Sequence, residues 1–163
     1  MNNLWAPWRG EYINAKKDGA CFLCDAPQKR SSEELKTELV LFKGAVTSVI
    51  MNKFPYNSGH LLISPVRHIA KIEELTPEES IDLFRILRHT TAAITMAFNP
   101  EGFNIGINLG RAAGAGIEEH MHMHVVPRWN GDSNFMPLLT EVKVIPEHLQ
   151  ETFEKLKPFF ERI

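Results

Sequence analysis

Cysteine is scarce in this chain: Cys21 and Cys24 are the only two in 163 residues. Set three positions apart in a chain expected to be intracellular, they suggest a metal half-site or a redox pair more than a structural disulfide. A surplus of charge is missing too, since 18 basic against 20 acidic residues leave a formal net charge of −2 and a pI near 6.4. That balance offers no electrostatic reason to bind a nucleic-acid backbone or an anionic membrane. No apolar run approaches the ~20 residues that cross a bilayer. The opening Met-Asn-Asn-Leu-Trp-Ala-Pro-Trp-Arg lacks a basic start followed by an apolar stretch, so a signal peptide is not expected. These absences predict a soluble, cytoplasmic protein. Repeats, low-complexity tracts and linkers are also absent. What remains is 44% apolar and 23% charged, the composition of a packed globule. A single domain over 1–163 can bury roughly 70% of its unfolded surface and needs no staples to fold.

Local patterns predict the elements. Residues up to about 37 read as an irregular N-terminal segment, with the charged stretch Gln28 to Glu34 as a solvated loop. Leu39 to Phe42 and Val46 to Met51 are short apolar runs broken by Gly44, a hairpin pattern. His60 to Ser64 and Phe103 to Asn108 read as further strands. Thr76-Pro77-Glu78-Glu79 carries a capping hydroxyl, a proline at the first helical position and a glutamate three residues after the cap. The helix it opens has Phe84, Leu87, Thr91, Ile94 and Phe98 at spacings of three and four, a stripe expected to face the core, and Asn99-Pro100 ends it. A last helix from about Pro146 carries Leu149, Phe153 and Leu156, with Pro158 expected to end or kink it. Strands clustered around one inserted helix predict an α+β fold: a mostly antiparallel sheet, with the long helix and the C-terminal helix packed on one side.

The most informative segment is His120-Met121-His122-Met123-His124-Val125-Val126-Pro127. On a strand, residues i, i+2 and i+4 share a face, so Met121, Met123 and Val125 can pack on a core while three imidazoles look into a polar cavity. Same-face neighbours stand roughly 6.5–7 Å apart. That arrangement serves two chemistries. Three histidines can converge on a zinc with an open water position. Alternatively one imidazole, largely neutral near its ordinary pKa, can attack an α-phosphate if its second nitrogen keeps a hydrogen-bonded proton. A neighbouring histidine would then donate a hydrogen bond or proton toward the phosphate and leaving group. Gly110 to Gly116 form a small-residue loop able to bring backbone N–H groups to an anion. Beside three histidines and Arg111, it favours a phosphate-bearing substrate.

The pattern resembles the histidine-triad family of nucleotide hydrolases and transferases, whose hallmark of three histidines alternating with apolar residues is matched from His120 through Val126. Asn52, the run Ser58-Gly59-His60-Leu61-Leu62-Ile63 and Asn108-Leu109-Gly110 extend the likeness, which spans about Cys21 to Trp129. Leu4-Trp5-Ala6-Pro7-Trp8-Arg9 and Asp132-Ser133-Asn134-Phe135 resemble the branch containing diadenosine-tetraphosphate phosphorylases. The resemblance implies that His122 attacks the α-phosphorus of an adenosine nucleotide and that His124 hydrogen-bonds the phosphate and assists the leaving group. Water or inorganic phosphate then releases AMP or ADP. It further implies Asn52 at the ribose, Asn108 at the phosphate or leaving group, and Ile50 lining the base pocket. Phosphate contacts would come from Gly114, Ala115 and Gly116, with Trp129 either stacking near substrate or anchoring the chain after Pro127. The family's usual glutamine and hydroxyl ahead of the first triad histidine are missing here, where Ala115-Gly116-Ile117 stand, so this loop can offer only backbone N–H groups.

Cys21-Phe22-Leu23-Cys24 by itself is half a tetrahedral zinc site. The resemblance completes it with His68 and His120, a closed Cys₂His₂ set that makes the zinc structural and leaves His122 and His124 for substrate. No organic cofactor is expected, and the family suggests a homodimer or higher homo-oligomer. His60, His89 and His148 carry no catalytic expectation: a turn or core contact, a helix face and a helix surface, respectively. Two other readings stand beside the enzyme: a zinc-dependent hydrolase using all three triad histidines as ligands, and a nucleotide-binding regulatory module.

Overall fold

A computed structural model describes residues 21–132, 147–161 and 163. The motifs at Leu4 to Arg9 and Ser133 to Phe135 lie outside the described residues. Five strands form one antiparallel sheet: β1 Val40–Lys43, β2 Thr47–Met51, β3 Leu61–Pro65, β4 Gly102–Ile107 and β5 Met123–Arg128, in the order β1-β2-β3-β5-β4. The helices are α1 Phe22–Asp25, α2 Ser32–Thr37, α3 Pro77–Phe98 and α4 Leu149–Phe160. The α+β expectation is borne out. No described helix is long and apolar enough to cross a membrane.

Register assigns each face of the sheet a different job. Phe42, Val49, Ile63, Met123 and Ile107 pair in one row across all five strands. That face packs on α3 and α4 through Leu83, Ile86, Ile94, Phe153 and Leu156. The other row runs Val40, Ile50, Leu62, His124, Gly106. Its first three members lie under the N-terminal turns, packed with Leu23 and Ala26. Toward its far end the apolar side chains stop, and a Cβ added at Gly106 would meet nothing within 4 Å. The long helix and the C-terminal helix thus lie on one side of the sheet, as expected; the N-terminal turns cover the other side only over β1 to β3, and the face bearing His124 is left open at β4.

Three expectations shift. Residues 22–37 are largely helical: Ser31 accepts the Glu34 N–H while the Glu34 carboxylate accepts the Ser31 N–H, a reciprocal cap that starts α2 inside the presumed loop. The buried stripe of α3 is Leu83, Ile86, Thr90, Ala93 and Ile94. Phe84 is 67% exposed, because the helix is rotated by about one position from the face its larger side chains suggested. The Thr76–Glu79 cap forms as read, and Asn99 closes the helix in the left-handed conformation. Pro158 does not end α4, which runs on to Phe160.

Candidate active site and metal centre

The triad only partly lies in the sheet. β5 begins at Met123, so His120 and His122 precede the ladder, while the alternation survives: Met121, Met123 and Val125 are buried toward the core. Each imidazole has partners that decide which nitrogen carries its proton.

His120 is fully buried and its Nε2 lies 2.9 Å from the Pro65 carbonyl oxygen. A carbonyl can only accept, so Nε2 donates and Nδ1 keeps its lone pair. That Nδ1 stands 3.3 Å from both Cys21 Sγ and Cys24 Sγ, and His68 Nδ1 is 3.3 Å from Cys24 Sγ. Cys21 opens α1, and its carbonyl accepts from the Cys24 and Asp25 N–H groups. The C-x-x-C segment thus wraps one turn and brings its thiols to one side. All four ligand atoms lie within 4.8 Å of one another. A tetrahedral zinc with Zn–S near 2.3 Å and Zn–N near 2.0–2.1 Å needs ligand separations of roughly 3.3–3.8 Å. The four residues fit such an ion, and the Pro65 carbonyl supplies the outer hydrogen bond that aims a ligating histidine. Burial, with Cys21 beside it, pushes the Cys24 thiol up to about 11. The residues expected to form a metal site do converge, and among the described residues His122 and His124 are not part of the group.

His122 is also buried, and its Nδ1 lies 2.9 Å from the backbone oxygen of His120. Nδ1 therefore donates and Nε2 bears a lone pair. Burial lowers the pKa of both His120 and His122, which favours the neutral imidazoles this arrangement needs. The rings of His122 and His124 are 4.9 Å apart.

His124 depends on a residue to which the sequence assigned no catalytic part. His60 is 1% exposed; its Nδ1 accepts the Tyr56 N–H at 3.0 Å and its Nε2 lies 2.9 Å from His124 Nδ1. With Nδ1 accepting, the proton of His60 sits on Nε2 and is donated to His124 Nδ1. The N–H of His124 must then be on Nε2. One histidine carries a lone pair at Nε2 and its neighbour a donor at Nε2. No local pattern marked His60, because its partner is 64 residues away.

The remaining expected residues are placed less directly. Asn52 follows β2 with its amide turned onto the loop: Nδ2 is 3.3 Å from His60 Nδ1 and Oδ1 accepts the Phe54 N–H. Asn108 is half-buried two positions beyond Gly106, the residue paired with His124. Ile50 is 1% exposed and packed with Leu23, Ala26, Val40 and Leu62, so the apolar cluster, rather than an open cavity, takes up its side chain. In the small-residue loop, the N–H groups of Ala113, Gly114 and Ala115 donate to the Gly110 and Arg111 carbonyls at 2.9–3.4 Å. The anion cradle expected at Gly114, Ala115 and Gly116 is thus partly turned inward. Trp129 is half-buried just past β5 and gives its N–H to Asp132. Asp132 also accepts from Arg128 Nε at 2.6 Å and Nη2 at 2.7 Å, and from Asn57 Nδ2 at 2.8 Å. This hub ties the β2–β3 loop to the end of β5.

Known proteins resemble this chain in sequence and in fold. A profile of the HIT domain matches residues 32–131. An AP-4-A phosphorylase of Mycobacterium tuberculosis is 37% identical over 157 residues, covering 93% of this chain and 80% of that protein. The asymmetrical bis(5'-nucleosyl)-tetraphosphatase of Schizosaccharomyces pombe is 33% identical over 93 residues, 57% of this chain and 50% of its own. Among solved structures, a zinc-bound histidine triad family protein from Mycobacterium smegmatis superposes with a TM-score of 0.68 at 22% identity, covering 90% of this chain and 96% of that one. The chain belongs to the HIT, or histidine-triad, family.

Proposed function

We propose that this chain cleaves dinucleoside polyphosphates or related adenosine nucleotides at the α-phosphate through a covalent nucleotidyl-histidine. His122 Nε2 attacks phosphorus, a P–N bond forms, and the P–O bond to the rest of the substrate breaks, its oxygen leaving with the electron pair. His124 Nε2–H donates a hydrogen bond to that departing oxygen or to a phosphoryl oxygen, where negative charge develops. Water or inorganic phosphate then attacks the same phosphorus and returns His122, yielding AMP or ADP. The observation that carries this reading is the complementary pair of tautomers, lone pair on His122 and donor on His124. The names of the M. tuberculosis and S. pombe relatives support the substrate class, and the open space at Gly106 beside His124 gives substrate room. Asn52, Asn108, Trp129 and the loop 114–116 belong to the same reading as nucleotide contacts, with Ile50 beneath them.

Cys21, Cys24, His68 and His120 would hold a structural zinc, which ties the N-terminal turns to the sheet. The rival reading, in which all three triad histidines ligate a catalytic zinc, finds no support: His120 faces the two sulfurs and His122 points Nδ1 at a backbone oxygen. A homodimer is also part of the proposal, favoured by Ile105, exposed on the edge strand β4; light scattering of the purified protein reads it directly. The deciding experiment is incubation with diadenosine tetraphosphate with and without phosphate. AMP plus ATP marks water as acceptor and ADP plus ATP marks phosphate. Tight AMP binding with no turnover and no trapped intermediate would instead make the protein a binding module.

A further inference from the structure

We infer that the Tyr56 ring, alongside the His60 hydrogen bond, positions His124 to serve the leaving group, an assignment that rests on the mechanism proposed above. The ring of Tyr56 stacks on that of His60 at 4.8 Å and 25°, and on that of His124 at 6.0 Å and 22°. The two imidazoles themselves are tilted by 41°. The phenol ring therefore lies nearly parallel to both histidines and restrains their rotation. The same residue's backbone N–H sets the His60 tautomer, so Tyr56 controls both the plane of His124 and the side on which its proton sits.

Tyr56 is itself held in place. Asn57, which follows it, donates to the Pro127 carbonyl at 3.1 Å and to Asp132 at 2.8 Å, and its carbonyl accepts the His60 N–H. The loop is thus pinned to β5, the strand that carries His124. A hydrogen bond weakens steeply once it is misaligned. A His124 free to rotate would lose its aim at the departing oxygen while the attack by His122, held by a different backbone oxygen, stays intact.

The two roles separate in a leaving-group comparison. Adenosine 5′-phenyl phosphate expels a weakly acidic phenol and depends on the His124 hydrogen bond; adenosine 5′-(4-nitrophenyl) phosphate expels a far more acidic one and depends on it little. Replacing the aromatic ring (Tyr56→Leu, with Tyr56→Met taking its place should the first not fold) lowers kcat on the phenyl ester by about tenfold more than on the nitrophenyl ester, a fraction of what a positioned proton donor contributes. Tyr56→Phe keeps the ring and restores the wild-type ratio. Equal losses on both esters, or none, with wild-type cleavage intact would overturn the assignment of Tyr56 alone. Failure of the wild type to cleave either ester, or cleavage indifferent to His122→Ala, would overturn the mechanism and this inference together.

Discussion

His60 Nε2 lies 2.9 Å from His124 Nδ1, and a backbone N–H on the far side of the His60 ring decides which way that bond runs. A side chain 64 residues from the triad member it touches thus sets which nitrogen of His124 keeps its proton. The bond passes the orientation of a turn to His124 Nε2, the atom proposed above to face substrate. His60→Gln removes the relay, leaving His124 free to carry its proton on either nitrogen. Steady-state kinetics on diadenosine tetraphosphate should show kcat reduced by about 10–100-fold, with KM changed far less.

In the proposed mechanism His122→Ala takes away the nucleophile. Turnover should fall by at least about 10³-fold, and no radiolabel from an α-phosphate-labelled substrate should remain on the denatured protein. Retained labelling at another residue would move the nucleophile.

Loss of the proposed zinc should cost stability first. Chelation, or Cys24→Ser, opens the Cys₂His₂ cluster and releases the N-terminal turns from the sheet. If several kcal/mol are lost, Tm falls by on the order of 10 °C for a chain of this length. Thermal melts paired with metal analysis read this. A chelated protein with unchanged Tm and no activity would place the ion in the chemistry instead.

Acid should weaken the fold through Glu79, which is buried and accepts from Arg67 Nε at 2.6 Å and Nη2 at 2.7 Å. The Arg67 guanidinium holds its carboxyl down at about 2, from an ordinary 4.5. A depressed carboxylate stabilises the fold above its unfolded pKa, and that contribution is lost as pH falls from about 4.5 toward 2. With Arg67 half-exposed, solvent screening makes that contribution modest. Denaturant melts across this range should show a shallower acid loss for Glu79→Gln than for wild type.

The rotation of α3 is measurable. Ile86→Ala deletes a fully buried side chain and should cost about 2–5 kcal/mol, whereas Phe84→Ala, at an exposed position, should stay within about 0.5 kcal/mol. Urea denaturation of the two variants distinguishes the stripes.

Much of the site was legible because its signals are local. Strict alternation at His120, His122 and His124 forces a shared side, and Cys21 with Cys24 at one helical turn forces convergent thiols. The Thr76 to Glu79 cap was readable for the same reason, since its hydrogen bonds close within four residues. The equivalent cap at Ser31 and Glu34 has the same spacing, but without an apolar run behind it the stretch read as loop. For α3, Phe84 misled: it sits on the solvent side, whereas Leu87, Ile94 and Phe98 pack on the core as read and the small Thr90 and Ala93 are fully buried.

The amino-acid sequence by itself determined the alternation, the thiol pair, the principal strands and the long helix, because each depends on neighbours within a turn or a pleat. Tertiary structure decided which nitrogen of His120 and of His124 keeps its proton. For His120 and His124 the partners responsible, the Pro65 carbonyl and the Tyr56 N–H through His60, come to the rings only when β3, the loop before it and the triad segment are brought together, whereas His122 finds its acceptor two residues away in the His120 carbonyl. An imidazole has two similar nitrogens, and only a partner in space makes them different.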